Sequence, residues 1–159
     1  MAANLTLAGP DDLARILPML AACHAEQEIT SDETHREGAL APLLDGSPLG
    51  AAYLIGPRKA PVGFIVVTFG WSVEMGGMVA VVDEFWIRPG VRGRGMGSEV
   101  LSALMPTLEQ AGIRAVHHEA HEANPRVQAL FARHRFRLRE GLQVLTRRAP
   151  VTGRGTTPK

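Results

Sequence analysis

Polar and apolar residues alternate over residues 4–8 (NLTLA), the period of a half-buried strand. The period then lengthens. Leu13, Ile16, Leu17, Leu20 and Ala21 recur at helical spacing, so a helix with one apolar face follows Gly9-Pro10-Asp11-Asp12, whose two acids suit its first turn. Pro18 lies inside it and predicts a kink or restart, because an interior proline removes a backbone hydrogen bond and crowds the preceding turn. Thr30-Ser31-Asp32 offers caps for a second helix carrying Leu40, Leu43 and Leu44, ended by Asp45-Gly46-Ser47-Pro48. Three apolar runs at 51–55, 62–69 and 78–87 come next. Gly56-Pro57-Arg58-Lys59 and residues 70–77 separate them, which makes an antiparallel meander the economical arrangement. A third helix, with Val100, Leu101, Leu104, Met105 and Leu108 on one face, stops at Gly112. A fifth strand over 113–120 is joined to the fourth through that helix, hence parallel to it, with a right-handed crossover. Asn124-Pro125 starts a fourth helix with Val127, Leu130 and Phe131 inward, and residues 142–146 form a last strand.

The densest chemistry lies between the fourth strand and the third helix. The apolar run from Val81 to Ile87, which carries the acidic pair Asp83-Glu84, stops at Arg88-Pro89-Gly90, and Arg92-Gly93-Arg94-Gly95-Met96-Gly97-Ser98 follows. Three alternate glycines remove every second Cβ and let backbone N–H groups converge on an outside atom. The helix beginning there adds its own unpaired N–H groups and the positive end of its dipole. The result is an anion cradle, in which Arg92 and Arg94 supply charge and forked donors suited to phosphate. The spacing G-x-G-x-G departs from the dinucleotide fingerprint G-x-G-x-x-G, and no Lys follows a glycine as a P-loop requires. An Arg/Gly-rich RNA-binding segment would interleave stacking aromatics, which this stretch lacks.

Length and composition narrow the class. With 159 residues, 45% apolar and 21% charged, the chain suits a single domain over residues 1–148 and a tail over 149–159 that has nothing to bury and is expected to stay disordered. A net charge of +1 gives no global field that would recruit nucleic acid or membrane. No basic segment leads into an apolar run at the N-terminus and no uninterrupted apolar stretch approaches about 18 residues, so a cytoplasmic location is expected. Cys23 is alone, on the apolar face of the first helix, and reads as structural. His117, His118 and His121 invite a metal reading, but successive strand residues face opposite sides and no other Cys or His has supporting spacing, so no metal is expected. The Trp71-to-Gly77 loop, with Met75 beside Glu74, suits an acceptor pocket or a subunit interface. With the apolar edge at 142–146 it makes a homodimer an expectation.

Arg92-x-x-Gly95-x-Gly97 resembles the Q/R-x-x-G-x-G/A motif of the GCN5-related N-acetyltransferases (GNAT), and Asp83-Glu84-Phe85-Trp86-Ile87-x-Pro89 resembles the strand preceding it. Asn124, Ala129, Leu130, Phe131 and Phe136 are similar in order and spacing to the family's N-x-x-x-x-A-L-Y-x-x-x-G-F block, so the resemblance extends from residue 4 to about 147. It implies a mixed, mostly antiparallel sheet of about six to seven strands with about four helices, the fourth and fifth strands parallel and splayed. It also implies acetyl-CoA as co-substrate. The pyrophosphate would take the amides of Gly93, Arg94, Gly95, Met96, Gly97 and Ser98, beside Arg92. The pantetheine arm would pair with freed backbone of Phe85, Trp86 and Ile87, and Asn124 would bond the arm from the other side while also suiting an N-cap.

The reaction implied is attack of a primary amine, on a small molecule or a peptide, upon the acetyl thioester. An alkylamine with pKa about 10 is protonated at neutral pH, so a proton acceptor is needed, worth roughly 10² to 10⁴ in rate. Asp83 ranks first, at a position that often carries the acid in polyamine-like members. Glu119 ranks second, on the strand where N-terminal-amine members carry their base, and Glu84 third, each with a structural salt bridge as the competing role. The first helices wall the acceptor site in this family, and Glu26, Glu28, Asp32 and Glu33 lie there to attract a cation or simply to solvate helix ends. Two positions depart from the pattern. The tyrosine that protonates the leaving thiolate is Phe131 here, and the glycine before the final phenylalanine is Arg135. Phe131 also opens the reading of a coenzyme A-binding sensor or pseudoenzyme without turnover; a purely structural subunit would bind no ligand.

Overall fold

The computed structural model describes residues 4–150. Its elements are β1 (Leu5–Leu7), a 3-10 turn (Pro10–Asp12), α1 (Leu13–Glu26), α2 (Glu33–Leu44), β2 (Gly50–Ile55), β3 (Gly63–Ser72), β4 (Gly77–Ile87), a second 3-10 turn (Pro89–Val91), α3 (Met96–Gln110), β5 (Ala115–His117) and α4 (Pro125–Arg133). The sheet has five strands in sequence order, antiparallel from β1 to β4 and parallel between β4 and β5. α1 and α2 pack Ile16, Met19, Leu20, Cys23, Leu40 and Leu44 on one face, against Leu54, Phe64, Val66 and Trp86. α3 and α4 cover the other, where Val100, Leu101, Leu104, Leu108 and Phe131 meet Ile65, Val67, Ala80 and Val82. No helix among the described residues is long and apolar enough to cross a membrane.

The two faces are kept in order by one irregularity. β3 and β4 pair from Ser72↔Gly77 as far as Val67↔Val82, then Val66 faces Glu84, so Asp83 is an extra residue in β4. Strict alternation would place Val82, Glu84 and Trp86 on one face. The bulge changes this: Ala80 and Val82 join the α3 side, while Trp86 sits in the α1 core and Glu84 reaches α1.

Several sequence expectations are corrected. The sheet has five strands instead of six to seven, because residues 142–146 form no strand: Leu142, Val144 and Leu145 are 60%, 66% and 90% exposed. Alternating side chains make a strand only where a ladder is available, and β5 offers an edge of three residues. The edge that a homodimer would use through this segment is therefore not formed, although Trp71, in β3, is 71% exposed. β5 is shorter than 113–120, which leaves Glu119 beyond its end. α1 continues through Pro18 without a restart. The 149–159 tail lies outside the described residues from 151 onward.

Arg135 takes φ +67° after α4, the left-handed conformation that favours glycine. Phe136 N donates to Phe131 O at 3.1 Å and Arg135 N to Ala132 O at 3.1 Å, while the Phe131 and Phe136 rings meet edge to face at 4.9 Å. These bonds and the ring contact define a Schellman cap with Arg135 at its left-handed position. The Arg135–Glu109 ion pair, 3.8 Å long with both side chains exposed, offsets little. Arg135→Gly is expected to stabilise the fold by about 0.5–1 kcal/mol and raise Tm by roughly 2–4 °C in a thermal melt. An unchanged or lower Tm would show that the cap is not strained.

Candidate active site

β4 and β5 pair through Val79↔Ala115, Ala80↔Val116 and Val81↔His117, and no further. Beyond that point β4 runs on past its bulge to Ile87 with no β5 partner, which leaves a gap, the cleft, between the strands. Arg88 N donates to the O of Val62, the residue before β3, at 2.7 Å, and backbone direction alternates along a strand, so residues 84 and 86 face β3. Phe85 and Ile87 turn their N–H and C=O groups toward the cleft. Trp86 instead turns its backbone to β3, and its indole N–H donates to Glu26 Oε1 on α1 at 3.0 Å.

At the cleft's outer end lies the glycine loop. Gly93 and Gly95 have φ +77° and +79°, and Gly95 caps α3 in the left-handed region. A Cβ at Gly95 would meet nothing within 4 Å, so this glycine is required for backbone shape. Gly97 has another reason: its Cβ would lie 3.0 Å from Leu130 Cδ2, so it lets α3 approach α4. Ser98 Oγ is 2.7 Å from His134 Nε2, and an open depression along the first turns of α3 is lined by Gly95, Ser98, Glu99, Ser102 and Ala103. Burial, then the charge of Arg133, pushes the His134 pKa down.

The two arginines of the loop behave differently. Arg92 folds back: its Nε donates to Ile87 O at 2.6 Å, its Nη2 holds both carboxylate oxygens of Glu26 at 2.9 Å, and its guanidinium lies 5.9 Å from the Trp86 ring centroid. Arg94 is exposed, with no hydrogen-bond partner among the described residues, and remains available to an anion. Arg126, at the start of α4, brings Nη2 to 4.0 Å from the Cβ position of Gly93 and adds a cation that the sequence pattern did not single out.

The three candidate carboxylates lie around the bulge. Partial desolvation of the Asp83 carboxyl, then the charges of Glu84 and Glu119, push its pKa above the ordinary aspartate range, while His24 opposes the shift. Glu84 accepts from His24 Nε2 at 2.8 Å and from Cys23 Sγ at 3.5 Å. His24 Nδ1 is 2.7 Å from Ser31 Oγ, which also accepts from Arg36 at 3.0 Å, so a chain of hydrogen bonds fixes Glu84 from α1 and α2. Burial, then Glu84, raises the Cys23 thiol pKa to about 12, which leaves it neutral and non-nucleophilic. Asn124 caps α4, its Oδ1 accepting from Val127 N at 3.3 Å. Phe131, 5% exposed, packs between Phe85, Phe136 and His118. Among the described residues no group of three or more His, Cys, Asp or Glu could hold a metal ion.

A five-stranded sheet whose bulged β4 pairs with β5 over three residues only, followed by a glycine loop, has the parallel, parted β4/β5 pair that the sequence resemblance implies. The chain belongs to the acetyltransferase (GNAT) family, whose model matches residues 14–136. Its general chemistry is acyl transfer. No curated protein matches the sequence. Among solved structures, an integron cassette protein from the mobile metagenome of Cole Harbour Salt Marsh is 27% identical over 92% of this chain and 91% of its own, with TM-score 0.80. A ribosomal-protein-alanine N-acetyltransferase from Brucella melitensis biovar Abortus is 17% identical over 92% and 99%, TM-score 0.72. A predicted acetyltransferase from Clostridium acetobutylicum, solved with acetyl-CoA, is 12% identical over 91% and 96%, TM-score 0.75. At these identities the latter two speak to the fold alone.

Proposed function

We propose that the protein transfers the acetyl group of acetyl-CoA to a primary amine by direct attack within a ternary complex. The observation that carries this reading is the cleft itself: the backbone of Phe85 and the N–H of Ile87, without a partner strand, lead from the glycine cradle to a bulge ringed by Asp83, Glu84 and Glu119. The residues fit the coenzyme. Amides of Gly93, Arg94, Gly95, Met96, Gly97 and Ser98 surround a helix start suited to a pyrophosphate, Arg94 and Arg126 add charge, and Phe85 and Ile87 offer a strand edge to an amide-bearing arm. Arg92 and Trp86 act from behind, bracing the loop against Glu26, while Asn124, the cap of α4, is the candidate to bond the arm from the other side.

When bound, the coenzyme supplies an activated thioester carbonyl. Asp83 is the first choice to take the proton that an incoming ammonium must lose, since a raised pKa makes its carboxylate a better acceptor near neutral pH. Glu119 is the second choice. Glu84 is third, because its oxygens are already held by His24 and Cys23. Membership of the acetyltransferase (GNAT) family supports the same choice of acyl donor.

The test is thiol release from acetyl-CoA against a panel of polyamines, aminoglycosides and peptides with free N-termini. Amine-dependent release with formation of the N-acetyl product is the expected outcome. Stabilisation by coenzyme A without release would make the protein a sensor of the same ligand, and absence of stabilisation would leave a structural role.

A further inference from the structure

We propose that His118 is a proton carrier at the inner end of the cleft, receiving a proton from the attacking amine and passing it to the departing sulfur; this rests on the transferase reading above. The position is defined by where the β4/β5 ladder stops. The last backbone pair is Val81↔His117, and the next carbonyl of β4, Val82 O, is bonded by the His118 side chain, with Nδ1 at 3.0 Å. The imidazole thus occupies the point at which the strands part, one residue before the Asp83 bulge.

Its chemical state follows from its partner. A carbonyl oxygen only accepts, so Nδ1 carries the hydrogen, and in the neutral ring Nε2 is left as an acceptor at the far end. Nε2 has no hydrogen-bond partner among the described residues, and the residue is half-buried. The ring is held in orientation as well, stacked on Phe131 at 4.2 Å with 6° between planes. Phe131 stands at the position where the resembling family carries its tyrosine, and it is a buried hydrocarbon with nothing to donate. The imidazole stacked against it carries nitrogen atoms that can exchange a proton.

The balance closes without another reactant. An ammonium first loses one proton to the carboxylates at the bulge or to water. As the C–N bond forms and the C–S bond breaks, the nitrogen sheds a second proton to His118 Nε2, and the imidazolium returns it to sulfur. Thiol and amide leave, and His118 is again neutral.

His118→Gln retains an N–H able to bond Val82 O but cannot carry a proton. We expect kcat to fall about 10²-fold while calorimetric affinity for coenzyme A and Tm stay at wild-type values. Phe131→Tyr placed in the H118Q protein, by restoring a donor hydroxyl, should recover about tenfold of that loss. Independently of turnover, ring-nitrogen NMR of the wild type should show His118 as the Nδ1–H tautomer, with its Nε2 resonance moving when coenzyme A is added. A wild-type kcat in H118Q overturns the proposal alone. So does a parallel loss of coenzyme affinity, which would mark a residue that only shapes the cleft. An inactive wild type across the amine panel overturns the transferase reading, and this proposal with it.

Discussion

Gly95→Val is expected to weaken coenzyme A binding by about 10²-fold or more in a protein that still folds. The added side chain meets no atom within 4 Å, so the effect does not arise from a clash in the core. It arises from the backbone. Gly95 holds φ +79° at the cap of α3, and a β-branched residue there costs roughly 1–2 kcal/mol, enough to move the loop to another conformation. Once moved, its amides no longer converge. Each hydrogen bond to a charged group is worth about 1.5–3 kcal/mol, so losing two accounts for the stated factor. Calorimetry makes the measurement, with circular dichroism to confirm folding, and unchanged affinity would rule out this loop as the coenzyme site. Gly97 is a poorer probe, since a Cβ there presses on Leu130 and confounds binding with α3–α4 packing.

Asp83→Asn is expected to lower kcat/KM by about 10² at neutral pH, with partial recovery as alkaline pH deprotonates the amine without help. The same substitution should raise the melting temperature. Folding pushes the Asp83 pKa up, so the folded state binds this proton more tightly than the unfolded state. The group therefore detracts from stability as pH rises from about 3.8 through its raised value, and the penalty is fully present above it. Replacing the carboxyl with an amide removes the cost of desolvating a charge and, after it, the repulsion from Glu84 and Glu119. The gain in Tm should be seen at neutral pH and vanish in acid, where the wild-type carboxyl is protonated in both states. Opposite signs for activity and stability separate a working carboxylate from a salt bridge, because removing a favourable salt bridge would lower both. Should Glu119→Gln lose activity while Asp83→Asn keeps it, the base is Glu119.

Much of this arrangement is readable from periodicity. The meander, the parallel return through α3 and the glycine loop are local patterns, and spacing alone reports them. The bulge is different. Asp83 is polar and lies in a run whose apolar positions look continuous, so only the partner strand reveals that Val66 faces Glu84 and Val67 faces Val82. The hydrogen-bond chain from Arg36 through Ser31 and His24 to Glu84 reaches across 60 positions of sequence, from His24 to Glu84, and has no motif to announce it. His118 was visible only as a strand histidine without metal partners; its role depends on where the ladder ends. Arg92 shows the limit from the other side. Its motif is correct for the family, yet the side chain turns to Glu26, a residue the sequence offers merely as one acid among several at a helix end. The missing last strand has the same origin, since alternation describes a side-chain pattern and cannot report whether an edge is waiting for it.

The extra residue in β4 places composition and length under different rules. Exchanging one apolar side chain for another along this strand alters packing locally. Removing a residue from either flank of the bulge slips every side chain on that flank to the opposite layer, and the two cores trade contents. Asp83 alone lies outside this constraint. With it deleted, Val82 and Glu84 would follow each other in regular alternation, each still facing its own layer, and the strand would run straight. The sheet would keep its hydrophobic ordering and lose the irregularity beside the unpaired end of β4, so in this fold a single residue of excess length separates a regular ladder from the proposed coenzyme cleft.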